Sequence, residues 1–260
     1  MSALHATRSG NPNGASVVLS HALGCDSSMY TELAAALAAD FDVICFDHRG
    51  HGSSPKAPKT TAPTTIAQMA DDAAAVITRE CAGGPVHFVG TSLGGMVAQA
   101  LAARHPLLLQ SVVIANSAMV YDEAARGMWC ARMQVVGEQG MSAIADSALQ
   151  RWLSPAFHVQ HPARAAQLRT VLLKSDVPSY LASCAAVMNV DCRETNPRVG
   201  CPALVIAGLM DEATPLAMSE AINASLRHAQ LATLPVAQST ALKNSANSAA
   251  KACGASTAAR

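Results

Sequence analysis

Short apolar runs separated by helix-forming segments most constrain what this chain can fold into. The runs are rich in β-branched residues and nearly continuous in hydrophobicity; they span 15–20, 41–47, 85–90, 109–116, 202–208 and 229–237. Continuous rather than alternating runs are typical of strands buried on both faces of a parallel sheet. Ala-rich segments with helical character, such as 29–39 and 66–79, lie between them. This alternation predicts an α/β fold with a mostly parallel central sheet flanked by helices.

The alternation stops between residues 119 and 195. This stretch contains successive helical segments and no convincing strand, which predicts a helical cap inserted over the sheet. We therefore predict a core in two parts, 1–118 and 196–260, with the cap at 119–195 between them. From Gln238 onward Ala, Ser and Lys dominate and Leu242 is the only large aliphatic residue, so this tail has little apolar surface to bury.

Charge and composition exclude several classes of partner. Eighteen Lys and Arg balance eighteen Asp and Glu, and no basic run is present, so we expect no nucleic-acid partner. No apolar run reaches the roughly 18 residues of a membrane span, and the N-terminus lacks the apolar core of a secretory signal. The eight cysteines follow no metal-ligand spacing. We expect a cytoplasmic protein without a bound metal or membrane partner.

The stretch GTSLG, residues 90–94, fits the pattern G-x-S-x-G between a buried strand and a helical run. In such a tight turn the residues two before and two after the serine have little room for a side chain. Ser92 would then project from the carboxyl edge of the sheet as a nucleophile. The N–H of Leu93, at the helix start, would be aimed at a developing oxyanion. The alternative interpretation is a glycine-rich turn whose serine only caps a helix.

Two other turns carry a family resemblance. The first predicted strand ends in SHALGCD, which resembles the H-G-x-G stretch of α/β-hydrolases, and FDHRGHGSSP at 46–55 resembles their D-x-R-G-x-G-x-S turn. Together with the GTSLG turn, these stretches make the chain similar to α/β-hydrolases. The resemblance implies that the N–H of Leu23 is a second oxyanion donor. His21, His48 and His51 belong to these turns, and we interpret them as residues that shape the loops.

The acid of a catalytic triad has a candidate, but the histidine does not. In α/β-hydrolases the order is Ser, then Asp or Glu, then His. The stretch CPALVIAGLMDEATP places Asp211 in the loop after a buried strand, with Glu212 beside it; the alternative role of Asp211 is a helix N-cap. The resemblance implies a histidine just after LPVA, where this chain has Gln238. Glutamine cannot accept a proton near neutral pH, and His228 is predicted at the opposite sheet edge.

Three stretches resemble a narrower family. GEQGMSAIADSALQRWLSPAF, SYLASCAAVMNVDCRE and PALVIAGLMDEATP are similar to 3-oxoadipate enol-lactonases of aromatic-catabolic bacteria. The resemblance extends from Val17 to Ala237 and implies, without any cofactor, attack of Ser92 on the lactone carbonyl of 3-oxoadipate enol-lactone in the β-ketoadipate pathway. That substrate carries a carboxylate, so a cation is expected in the pocket. Arg132, Trp129 and Trp152 resemble cap positions of the family.

Several alternatives stay open at this stage. The missing histidine could reflect an altered reading frame where the composition shifts, a hydrolase fold that binds a small ligand without turnover, or rescue by His48, His51 or a residue of another chain. A general esterase acting on aryl or short-chain esters is the alternative enzyme. The sequence makes no prediction about the oligomeric state.

Overall fold

A computed structural model describes residues 2–56, 63–82 and 84–235. Gln238 and the rest of the predicted tail lie outside the described residues. Within the described ranges, seven strands form one sheet in the order β1-β3-β2-β4-β5-β6-β7. They are β1 (Ala6–Gly10), β2 (Ala15–Ser20), β3 (Phe41–Phe46), β4 (Val86–Thr91), β5 (Leu109–Ala115), β6 (Ala203–Gly208) and β7 (Ala229–Leu234). All pairs except β1 with β3 are parallel, which confirms the predicted fold class.

Strand β1 is the element of the sheet that the sequence did not predict. Its residues, ATRSG, are exposed at four of five positions. It lies at the sheet edge and pairs antiparallel with β3, so it carries no apolar run of the kind that marks the buried strands. The last predicted strand, 229–237, is observed as β7 and ends at Leu234; its final two residues lie outside the described range.

Four helices connect the strands of the sheet. They are α1 (Thr31–Leu37), α2 (Ile66–Glu80), α3 (Leu93–Arg104) and α9 (Leu216–Ser225). Helix α2 begins at a capping box in which the Thr65 hydroxyl accepts from the N–H of Gln68 and the Gln68 side chain accepts in return from the N–H of Thr65. This arrangement satisfies two N–H groups that a helix start leaves without partners.

Five further helices lie consecutively between β5 and β6, and we call them the cap helices. They are α4 (Glu123–Gln139), α5 (Ser142–Trp152), α6 (Pro155–Gln160), α7 (Pro162–Leu173) and α8 (Val177–Met188). Helix α6 was not predicted as a separate helix, because its six residues are too few to show a period; it begins at Pro155, where Ser154 caps it. No helix in the described ranges is long and apolar enough to cross a membrane.

The two faces of the sheet explain the continuous apolar runs. On β2, Val18 belongs to the large core cluster shared with α2, α3 and the cap helices, whereas Val17 and Leu19 belong to a second cluster with α1. Successive side chains of a strand point to opposite faces, so both faces require apolar residues. Because β2, β4, β5 and β6 run parallel, their carboxyl ends lie at one edge of the sheet, which faces the cap helices across a shared cavity.

Candidate active site

Ser92 occupies a strained turn between β4 and α3. Its backbone has φ 53° and ψ −111°, a conformation that non-glycine residues seldom adopt and that persists only where the surroundings impose it. Its N–H donates to the carbonyl of Ala115 at 2.9 Å, and the Ser117 hydroxyl donates to its carbonyl at 2.8 Å. The Ser92 hydroxyl does not cap helix α3 and has no hydrogen-bond partner among the described residues, so the helix-cap interpretation is wrong.

Glycine is required on both sides of this turn. A Cβ at Gly90 would overlap the carbonyl of Gly94, and a Cβ at Gly94 would overlap the carbonyl of Ser20 on β2. The backbone of the turn therefore passes closer to its neighbours than any side chain allows. This close approach sets the first turn of α3 directly against the end of β2.

A cavity of about 270 Å³ opens at this edge of the sheet. Its lining comes from the turn after β2, from Ser92, from the loop after β6, from α9 and from the cap: Ala22, Leu23, Ser92, Tyr121, Ala125, Met128, Trp129, Arg132, Ala148, Arg151, Trp152, Glu212, Ala213, Thr214, Pro215 and Met218. Of the predicted site residues, the cavity brings together Ser92, Leu23, Trp129, Arg132 and Trp152. The other two, Leu93 and Asp211, are buried beside it.

Asp211 is held rigidly in the loop after β6. It is buried, and its carboxylate accepts hydrogen bonds from the N–H of Ala213 at 2.8 Å, from the N–H and hydroxyl of Thr214 at 3.0 and 2.8 Å, and from the side-chain amide of Asn116. Helix α9 begins after Pro215 without a side-chain cap, so Asp211 is not its N-cap. Fixed donors leave this carboxylate little freedom to rotate.

Asn116 is a residue of this region that sequence reasoning missed. It follows β5, is fully buried, and has a positive φ of 47°, which Asn tolerates better than most residues. Its N–H donates to the carbonyl of Ile206 on β6, and its side chain donates to Asp211. The sequence feature that could have indicated Asn116 is its position as a polar residue directly after a buried strand, at the same sheet edge as Ser92.

The structure brings no histidine to Ser92. All nine histidines of the chain lie within the described residues, and none of them lines the cavity. The rings of His48 and His51 are buried and bond instead to the Ser20 hydroxyl at 2.9 Å and the Arg49 carbonyl at 3.2 Å. His228 is exposed just before β7, at the opposite sheet edge. The structure therefore gives no support to rescue of Ser92 by His48 or His51.

Burial of the histidine cluster predicts acid sensitivity. Burial lowers the pKa values of His21 and His48, and it lowers the pKa of His51 to about 3. In the unfolded chain these groups titrate near pH 6.5. Below that pH the unfolded chain therefore binds more protons than the folded one, and the free energy of unfolding falls by up to about 1.4 kcal/mol per pH unit for each histidine.

Urea unfolding at pH 7.5, 6.5 and 5.5 measures this slope. The variant His51→Phe removes one titrating group and is expected to flatten the pH dependence by about the contribution of one histidine. An unchanged slope in that variant would show that His51 is not kept neutral by the fold.

The cap side of the cavity carries uncompensated positive charge. The guanidinium of Arg132 lies 5.9 and 5.8 Å from the ring centroids of Trp129 and Tyr180, and its Nε donates to the Tyr180 hydroxyl at 2.9 Å. Its terminal nitrogens have no partner in the part of the chain that the structure describes. Arg151, which the sequence did not single out, also lines the cavity without an ion pair to any described residue. Among the described residues, Glu212 is the one acidic side chain in the lining.

Neutral polar groups complete the lining. Tyr121 lies edge-on to Trp129, with 6.0 Å between ring centroids, and burial raises the pKa of its phenol to about 12. It is therefore an uncharged donor near neutral pH.

Within the described ranges, no group of three or more His, Cys, Asp or Glu side chains could hold a metal ion.

Comparison with known proteins agrees with this architecture. A family model described as the alpha/beta hydrolase fold matches residues 15–129. The chain is 32% identical over 232 residues to 3-oxoadipate enol-lactonase 2 of Acinetobacter baylyi, which covers 89% of this chain and 85% of the relative. The chain belongs to the α/β-hydrolase family. The resemblance to α/β-hydrolases and to 3-oxoadipate enol-lactonases that the sequence indicated is confirmed.

Other relatives of this α/β-hydrolase include a second enol-lactonase and a methyl ester esterase. The crystal structure of the enol-lactonase from Burkholderia xenovorans superposes with a TM-score of 0.88 at 30% identity, over 96% of this chain and 95% of that one. A pimeloyl-[acyl-carrier protein] methyl ester esterase of Chromobacterium violaceum is 30% identical over 86% of this chain and 87% of the relative. Because the chain is about equally identical to lactonases and to an ester hydrolase, sequence identity does not distinguish between their substrates.

Proposed function

We propose that this α/β-hydrolase cleaves a carboxylic ester or lactone bond with Ser92 as the nucleophile, and that its substrate is the enol-lactone of 3-oxoadipate. The observation that carries the proposal is that one cavity is lined by the strained Ser92 and by Arg132. Among the described residues, neither the Ser92 hydroxyl nor the terminal guanidinium nitrogens of Arg132 have a hydrogen-bond partner. A nucleophile and a carboxylate anchor in the same enclosed space fit an ester that also carries a carboxylate.

The chemistry follows from the elements around Ser92. Its Oγ attacks the lactone carbonyl, and the oxyanion that forms is held by the N–H groups of Leu23 and Leu93. Leu93 is the first residue of α3, so the helix itself leaves this N–H without an acceptor. Collapse of the tetrahedral intermediate breaks the ring ester bond and releases the enol, which remains attached through the acyl chain. Water then cleaves the acyl-enzyme.

The cavity favours a carboxylated, activated ester. The Tyr180 hydroxyl and cation–π contacts with the rings of Trp129 and Tyr180 hold the Arg132 guanidinium in place. Its terminal nitrogens, which have no partner among the described residues, can form a two-pronged contact with a carboxylate. An enol is a better leaving group than an ordinary alcohol, so ring opening depends less on a general acid. Both features match the enol-lactone, which is also the substrate named for the relatives from Acinetobacter baylyi.

No described residue acts as the general base in this mechanism. No histidine lines the cavity, and the position where the family resemblance implies one is Gln238. Without a group that accepts and returns a proton, both acylation and deacylation are slow. The same observation favours a second candidate function, in which the fold binds a small carboxylated ligand without turning it over.

Acylation of Ser92 separates these two functions. An aryl acetate incubated with the protein is expected to acetylate Ser92 slowly, at about one group per chain, and intact-mass spectrometry combined with peptide mapping detects the adduct. Ser92→Ala should lose the adduct, whereas Ser53→Ala, which changes an exposed serine outside the cavity, should keep it. Absence of any adduct on Ser92 in the folded protein would leave only the binding function.

The carboxylate anchor gives a prediction that does not require turnover. Arg132→Gln is expected to weaken binding of adipate, a linear dicarboxylate, by about tenfold or more, because a charge-assisted contact is lost. Calorimetric titration measures the affinity. Arg126→Gln, on the same helix but outside the cavity lining, should bind adipate as the natural chain does. Equal affinities for both variants would remove Arg132 from the site.

A further inference from the structure

The peptide that joins Ala22 to Leu23 is held by a buried histidine. Both residues line the cavity, whereas His21, immediately before them, is fully buried and does not. We propose that His21 is a positioning residue that fixes this peptide so that the Leu23 N–H points into the cavity. The inference rests on the proposed function, in which that N–H stabilises the oxyanion.

The geometry of the peptide plane carries the argument. The His21 Nδ1 lies 2.8 Å from the Ala22 carbonyl oxygen, and the N–H of Cys25 donates to the same oxygen at 3.1 Å. The C=O and N–H of a trans peptide point in opposite directions. Because two donors hold the Ala22 carbonyl on the protein side, the Leu23 N–H of the same peptide is directed to the other side, where the cavity lies.

A second contact fixes which ring nitrogen of His21 carries the proton. The backbone N–H of His48 donates to His21 Nε2 at 2.9 Å, so Nε2 is an acceptor and the neutral ring must carry its proton on Nδ1. That is the proton donated to Ala22. Burial lowers the pKa of His21, which keeps the ring neutral. His48 is held in turn by its own ring contact with Ser20.

A variant of His51 serves as the matched control that separates positioning of the peptide by His21 from a general contribution to the buried histidine cluster. It is buried to the same degree as His21, and the two rings lie 5.2 Å apart. Its Nδ1 bonds to the Arg49 carbonyl rather than to the Ala22–Leu23 peptide. Replacing either ring by Phe disturbs the same buried cluster, but only the His21 variant releases the peptide.

The first test measures the rate constant of Ser92 acetylation by an aryl acetate. His21→Phe is expected to slow acetylation by about 10²-fold, the effect of losing one oxyanion donor, with little change in half-saturating ester concentration. His51→Phe is expected to stay within about twofold, and His21→Asn, whose amide can replace the Nδ1–H donor, to recover part of the loss. Equal slowing by both Phe variants, or no slowing by His21→Phe, would overturn the inference.

A second readout does not depend on activity. Nitrogen-15 NMR of the imidazoles is expected to show His21 as the Nδ1–H tautomer, and hydrogen exchange of the Leu23 amide should change in His21→Phe but not in His51→Phe. An Nε2–H tautomer would overturn the inference even in an active enzyme. If Ser92 is never acetylated while the tautomer and the exchange pattern are as expected, the positioning of the peptide stands and the proposed function has failed.

Discussion

Gln238→His is expected to raise the steady-state turnover of an aryl acetate by at least about 10³-fold. Loss of the triad histidine alone costs a serine hydrolase on the order of 10⁶-fold in kcat, and the remaining activity comes from the oxyanion hole and binding. The described part of the site supplies a strained serine, a fixed carboxylate and two candidate oxyanion amides. A general base is the group whose addition should change the rate most.

The control for this variant places a histidine on β7 instead. Gln230 is exposed on β7, and Gln230→His should leave turnover unchanged. If Gln238→His is folded and equally inactive, the tail differs from that of an active hydrolase by more than one side chain, and the binding function is favoured. Rapid turnover by the natural chain that disappears in Ser92→Ala would show that a base other than a histidine at position 238 serves the serine.

Asp211→Asn is expected to have a large effect only when residue 238 is histidine. The acid of a triad acts through the histidine that it orients, and its change to Asn lowers kcat by about 10⁴-fold in a serine protease. In the Gln238→His background a loss of that order is expected, whereas acetylation of Ser92 in the natural chain should change less than about tenfold. The rate constant of Ser92 acetylation, measured for all four proteins, forms a double-mutant cycle that gives the coupling between residues 211 and 238 directly.

The structure makes Asn a suitable replacement at this position. An Asn side chain can still accept from the backbone N–H groups of residues 213 and 214, and the Asn116 amide can turn its oxygen toward the new donor. Glu212→Gln is the matched control, because Glu212 is the adjacent carboxylate of the same loop and is exposed. An equal loss for Asp211→Asn in both backgrounds would mean that Asp211 serves folding rather than a histidine.

The sequence predicted the parts of the fold whose hydrophobic pattern is strong. Strands such as β2 and β4 are buried on both faces, so their apolar runs leave little ambiguity. Strand β1 was missed because an exposed edge strand needs no apolar residues, and helix α6 because one and a half turns cannot show a period. The prediction of residues 1–118 and 196–260 as the core, with a cap at 119–195 between them, stays a prediction.

Site residues that belong to a sequence motif could be predicted from the sequence. Site residues whose role depends on tertiary contacts could not. Ser92 lies in a turn that the G-x-S-x-G pattern indicates together with the buried strand before it and the helical run after it. Asn116 and Arg151 reach the site through contacts between segments far apart in the chain, for which a single sequence carries no signal. The ring of His21 bonds to the adjacent residue, but its proton position depends on the backbone N–H of His48, 27 residues away. The predicted position of Arg132 rested on family resemblance, and its contact with Tyr180, 48 residues away, was not foreseen.

Hydrolysis of the enol-lactone of 3-oxoadipate tests the central claim most directly. The rate should be measured side by side for the natural chain, for Gln238→His, and for Gln238→His combined with Ser92→Ala. The account predicts slow hydrolysis by the natural chain, a rise of at least about 10³-fold in Gln238→His, and loss of that gain when Ser92 is removed. Hydrolysis by Gln238→His that persists without Ser92 would contradict the assignment of Ser92 as the nucleophile.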